Sequence, residues 1–309
     1  MEHKLRLRLA FVVACATAIL CIAVHRRRRR NARKTSCYLE FETKPQSSFK
    51  QVLADNSYSP FKHLKLANSV DAKLSNLHPY EADIMALVKS PEVDYRIFNE
   101  IVLTTMSESY VWVETEPQLQ ELANVLSKEK IFAVDTEQHS FRSFLGFTAL
   151  IQVSTQKEDY LIDTIALHDA MDIIRPVFSD PTVLKVFHGA DNDVLWLQRD
   201  FHLYVVNLFD TAKACEVLSK PHKSLAYLLE TCCGVITNKS FQREDWRQRP
   251  LPEEMLEYAR SDAHYLLYIA RCLLDELRHR GNGILSTSFL FSSSICFGSL
   301  AFWLCIDYF

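Results

Sequence analysis

Glycine is scarce in this 309-residue sequence: six copies, with no GxGxxG and no GxxxxGK. Loops that cradle phosphates on successive backbone amides need such glycines, so dinucleotide-binding and P-loop chemistry are not expected. Nine cysteines are present, yet no CxxC pair occurs; Cys15 and Cys21 sit in an apolar run, and Cys232 and Cys233 are adjacent. A zinc knuckle or a disulfide framework therefore has poor support. Reduced thiols in a cytosolic or nuclear setting fit better.

Charge is unevenly spread behind a net value of −3. Residues 1–34 carry 10 Lys/Arg and the single acid Glu2, leaving 25 basic and 37 acidic residues for the rest. So acidic a body does not grip a phosphate backbone by bulk attraction; bound cations or a local basic groove must offset its field.

Two stretches lack charge altogether. Residues 9–24 (LAFVVACATAILCIAV) are followed almost at once by Arg26–Arg30. Sixteen apolar residues are slightly short of a span, but flanking arginines can snorkel. The heavier basic cluster on the C-terminal side places the body in the cytosol, anchored to the membrane through residues 9–24. The competing reading takes RRRRRNARK as a nuclear import signal or a nucleic-acid patch. The tail 284–306 is long enough for a second span, or is an alternative or misannotated tail.

Between these ends the expected organisation is an extended arm over 35–110, broken by Pro45, Pro60, Pro79 and Pro91, then a globular region over 111–280. A helix is expected over Pro117–Lys128. Strand patterns follow at 131–135, 146–154 and 159–163, then a helix over 168–178, a strand at 183–188, a helix over Asp191–Asp200 and a strand at 205–210. One long helix closes the region over Pro252–Arg278. Strands first and alternation later predict an α/β fold, a mixed sheet flanked by helices.

Acids recur at the ends of these elements. Asp135 and Glu137 sit at the end of the strand IFAVD, two apart and so on one face. Converging carboxylates repel unless a cation lies between them, although a solvated strand end looks the same in sequence. Asp193 lies just inside a helix start, where acids also complement the dipole; Asp191 is expected to be the cap. Tyr258 and Asp262 lie one helical turn apart on one face. Phosphodiester hydrolysis needs charge neutralised on both the attacking and the leaving oxygen, which two divalent ions achieve, and hard Mg²⁺ prefers carboxylate oxygen.

With its motifs FAVDTEQHSFRSFLGFTALIQVST, KVFHGADNDVLWLQRDFHLYVVNLFDT and LPEEMLEYARSDAHYLLY in this order, the sequence resembles the tyrosine subclass of DEDD exonucleases. That subclass contains ribonuclease D and the exosome-associated 3′→5′ exoribonuclease, and SFQREDWRQRPL and HPYEADI extend the likeness over residues 75–280. The resemblance implies a ribonuclease H-like fold and release of nucleoside 5′-monophosphates from the 3′ end of single-stranded RNA, with the exosome as a partner. It implies two divalent ions, Mg²⁺ or Mn²⁺, held by Asp135, Glu137, Asp193 and Asp262, with Tyr258 orienting water and no small-molecule cofactor. Trp196 and Lys239 match positions that line the terminal-nucleotide pocket, while Trp196 also suits a helix core. In two places the sequence departs from the family pattern: Gln138 stands where many exosome-type relatives carry histidine, and the apolar tail takes the place of a helical accessory domain. The hydrophobic N-terminus resembles a plant-type branch. A catalytically idle RNA-binding scaffold and a 3′→5′ DNA exonuclease are the alternatives.

Overall fold

A computed structural model describes residues 44–54, 61–65, 78–89, 96–140 and 145–280. Apart from Arg243–Asp245 these belong to one unit, and all that follows concerns it. The apolar stretches 9–24 and 284–306 and the polybasic run lie outside the described residues. Among the described residues no helix is long and apolar enough to cross a membrane.

The arm is less extended than its prolines suggest. Helix α1 (Glu81–Lys89) has Glu81 and Asp83 in its first turn and Lys89 in its last, the charge order that suits a helix dipole. A single turn at Arg96–Asn99 follows, and Phe98 and Ile101 are buried against the core.

Strand β1 (Val111–Val113) was not expected, because three residues are too few to show a period. Helix α2 (Glu116–Leu126) starts at Thr115, whose backbone N–H donates to Gln118 Oε1 at 3.0 Å, and it buries Leu119, Leu122 and Leu126. Strand β2 (Ile131–His139) runs four residues past its apolar pattern, since the polar DTEQH segment continues the pairing with β3 (Phe147–Ser154). Strand β4 (Asp159–Ile162) comes next. Where one helix was expected over 168–178, a 3₁₀ segment His168–Ile174 hands over to a short helix Arg175–Ser179, at Pro176, whose ring cannot continue a backbone ladder.

Strand β5 (Leu184–Phe187) leads into α3 (Asp191–Phe201). Strand β6 is confined to Leu208–Asp210 because Asn207 takes a left-handed φ of 61°, which extended backbone cannot pass through. Helix α4 (Thr211–Val217) follows. The long terminal helix is two, α5 (Glu253–His264) and α6 (Leu266–His279), separated at Tyr265. The break falls beside His264, whose ring is held by Asp159 at 3.0 Å.

The six strands lie in the order β1-β4-β3-β2-β5-β6, with β3 antiparallel to both neighbours and the other pairs parallel. The expected mixed sheet with flanking helices is thus present. Alternation decides which face each residue serves. Phe132 and Val134 join Ile151, Val153, Leu122 and Leu197 on the α2–α3 side. Ile131 and Ala133 join Val186, Leu266 and Leu273 on the α6 side. A third cluster joins Leu150 and Leu161 to Met255 and Ala259 of α5.

Candidate metal centre

Continuing the β2 alternation puts Asp135 and Glu137 on the face of Ile131 and Ala133, under the C-terminal helices. Helix α5 delivers Asp262 there. One carboxylate oxygen from each of Asp135, Glu137 and Asp262 lies within 4.8 Å of the others. Glu137 and Asp262 are buried, at 7% and 6% exposure, and Asp135 is half-buried. Gln152 pairs with Asp135 across the β2–β3 ladder and directs its Nε2 at Glu137 Oε1, 3.5 Å away. Tyr258 lies one turn before Asp262 on α5, close enough for that carboxylate to act on its phenol.

Asp193 arrives from the other side of the strand. The β2–β5 pairing stops at Ala133, which leaves room for the β5–α3 turn to close beside Thr136. There the Thr136 hydroxyl donates to Asp193 Oδ1. Asp193 does not join the 4.8 Å trio, but its charge acts on both Asp135 and Glu137.

The turn itself is held by Asp210. Its Oδ1 accepts from Gly189 N and Ala212 N at 2.8 Å each, and its Oδ2 accepts from Ala190 N at 3.0 Å. Gly189 has a φ of 67°, a conformation glycine adopts without strain. Asp191 is not the cap that was expected. Ala190 takes that position, and Asp191 is an exposed first-turn residue 3.5 Å from Lys213 Nζ.

Burial and mutual repulsion dominate the electrostatics. Burial first, then the neighbouring carboxylates, pushes Asp135 and Glu137 well above the carboxylate range. Burial raises Asp262 to about 7 although the nearby Tyr258 and Ser261 hydroxyls act the other way, and Asp193 to about 6 despite the Thr136 hydrogen bond. Burial, then Asp262 and Glu137, drives the Tyr258 phenol far up, so it remains a proton donor. Buried carboxylates that repel one another are costly unless a cation neutralises them. Closely set, hard oxygen donors suit a divalent cation such as Mg²⁺.

Of the two residues expected to line a terminal-nucleotide pocket, Trp196 is half-buried one turn along α3 from Asp193. Lys239 is exposed and opens a short 3₁₀ turn whose Phe241 ring lies 5.7 Å from that of Tyr258. Thr136, Gln152 and Asp210 were missed in the sequence. Gln152 interrupts the apolar run GFTALIQVS, and Asp210 precedes a helix as a capping residue would; both signals were readable. Thr136 had none beyond lying between two acids.

Sheet order and acidic centre together define an α/β protein of the ribonuclease H-like kind. The chain belongs to the 3′-5′ exonuclease family, whose model matches residues 110–278. It is similar to Protein RRP6-like 3 of Arabidopsis thaliana, 63% identical over 90% of this chain and 32% of that protein. Human Exosome complex component 10 is 41% identical over 79% of this chain and 28% of its own length. The chain thus spans about a third of the length of such relatives. Among solved structures, the catalytic core of RRP6 from Trypanosoma brucei superposes with a TM-score of 0.71 at 37% identity, covering 82% of this chain and 70% of that one. Escherichia coli RNase D does so with a TM-score of 0.54 at 26% identity, covering 59% and 48%.

Proposed function

We propose that this chain is a 3′→5′ exoribonuclease, shortening single-stranded RNA one nucleoside 5′-monophosphate at a time in RNA processing or decay. The observation that carries the reading is the close-set trio Asp135, Glu137 and Asp262, all raised by burial and, at Asp135 and Glu137, by neighbouring carboxylates as well, beside a phenol that stays protonated. Two divalent ions, Mg²⁺ or Mn²⁺, held by these three and Asp193, would supply charge neutralisation on the attacking and leaving oxygens. The protein's own groups do the rest. Tyr258, one turn from Asp262 on α5, orients the attacking water, a role suited to a donor and not to a base. Trp196 offers a stacking face to the terminal base. Lys239 offers the RNA phosphate backbone a cation on a protein whose body outside residues 1–34 is net acidic.

RNA as the substrate is supported by the likeness to Escherichia coli RNase D, an exoribonuclease, and the exosome as the partner by that to human Exosome complex component 10. The catalytic part on this reading is 111–280, acting in the cytosol or the nucleus.

The test is a 5′-labelled single-stranded RNA incubated with the full chain and Mg²⁺. We expect a ladder shrinking from the 3′ end, abolished by chelation and by Asp193→Asn. Binding without shortening would favour an idle scaffold, and preference for a matched DNA strand would favour a DNA exonuclease. Wild-type turnover in Asp193→Asn would overturn the site.

A further inference from the structure

Thr136 lies between the two acids of β2, yet strand alternation turns its side chain to the opposite face. It is 7% exposed, and its hydroxyl meets Asp193 Oδ1 across 57 positions of sequence. Asp193 needs such a tether. It sits in the first turn of α3, where a carboxylate is drawn back onto the free amides of its own helix. It also stands outside the trio formed by Asp135, Glu137 and Asp262.

We propose that Thr136 is a positioning residue for the reaction, holding Asp193 by one carboxylate oxygen so that the other is left for a cation shared with the β2 acids. The inference rests on the functional reading above and deepens it. A hydroxyl fixed on rigid strand backbone restricts the carboxylate to one rotamer. Because Thr136 is covalently between Asp135 and Glu137, the helix acid and the strand acids move as one body. Side chains of this sort, one step removed from a metal, orient its ligands and tune its affinity. A purely space-filling role makes a different prediction: valine, the same shape without the donor, would serve equally well.

The experiment compares Thr136→Val and Thr136→Ser with wild type in the full chain, reading free Mn²⁺ by electron paramagnetic resonance and RNA turnover in parallel. Thr136→Val is expected to weaken Mn²⁺ binding roughly 10-fold or more and to lower kcat by a similar factor, with KM for RNA little changed. Thr136→Ser, which restores the donor, is expected to recover most of both. Should Thr136→Val fail to fold, by circular dichroism, Thr136→Ala takes its place with the same expectation. Wild-type Mn²⁺ affinity in a folded donor-less variant overturns the proposal, even if the protein degrades RNA. If wild type binds Mn²⁺ without cutting RNA, the exonuclease reading falls, while the difference between valine and serine still decides the role of Thr136. A wild type that binds no Mn²⁺ overturns both.

Discussion

Helix α5 stands between two buried acids that have opposite fates. Asp159, at the start of β4, is 4% exposed and meets Arg260 Nη2 at 3.2 Å, His264 Nδ1 at 3.0 Å and Ser154 Oγ at 2.8 Å. Burial alone would raise it, but the hydrogen bonds from His264 and Ser154 and the charges of His264 and Arg260 hold it below the usual carboxylate range. Asp262, on the same helix and 6% exposed, is raised to about 7 by its burial. Near-equal burial gives shifts of opposite sign, so countercharge decides the outcome. The protein supplies its own cations to Asp159, and that pairing ties β4 to α5. At Asp262 it sets further carboxylates nearby, an arrangement that makes sense when the countercharge comes from solution.

Substitutions should pull these two regions apart. The largest effect is expected from Asp262→Asn: RNA turnover should fall by at least about 10²–10³-fold, as for other groups that organise transition-state charge. Thermal melting without metal should show the same variant more stable than wild type, since it removes a buried, repelled charge. Asp159→Ala should do the reverse, costing about 3–5 kcal/mol in denaturant unfolding by leaving Arg260 buried without its partner. Turnover per folded molecule should survive it.

A divalent cation should sharpen the contrast further. At about 100 times its dissociation constant, Mg²⁺ should stabilise wild type by about 2.7 kcal/mol. The gain should shrink in Asp262→Asn and persist in Asp159→Ala, as thermal shift would show.

The smallest effect is on the pH dependence of stability. Burial lowers His264, but its hydrogen bond and ion pair with Asp159 outweigh that and leave it raised. A raised imidazole contributes stability that is complete below its unfolded value and is lost as pH climbs through the folded one. The depressed Asp159 contributes stability present above its unfolded value and lost as pH drops through the folded one. The pair should therefore stabilise most between the carboxylate and imidazole ranges. His264→Gln should flatten the alkaline side of that profile in denaturant titrations.

Much of this was legible beforehand because period and chemistry coincide in the right places. Alternation in IFAVD placed Asp135 and Glu137 on one face, and four-residue spacing did the same for Tyr258 and Asp262. Strand length was harder to read: DTEQH looks like a strand end, yet its backbone pairs with β3 as far as His139. Contacts made only in three dimensions left no local trace. The Thr136–Asp193 bond and the grip of Asp210 on the Gly189 turn join elements that sequence patterns treat separately. The break at Tyr265 is of the same kind, since apolar spacing runs on through it while Asp159, over a hundred positions earlier, holds His264.

Whether the acidic centre awaits a cation is tested most directly by diffraction from Mn²⁺-soaked crystals at the manganese absorption edge. An anomalous peak in contact with the carboxylates of Asp135, Glu137 and Asp262 is the predicted result. Manganese bound only at other sites, with these three side chains unchanged, would contradict the account.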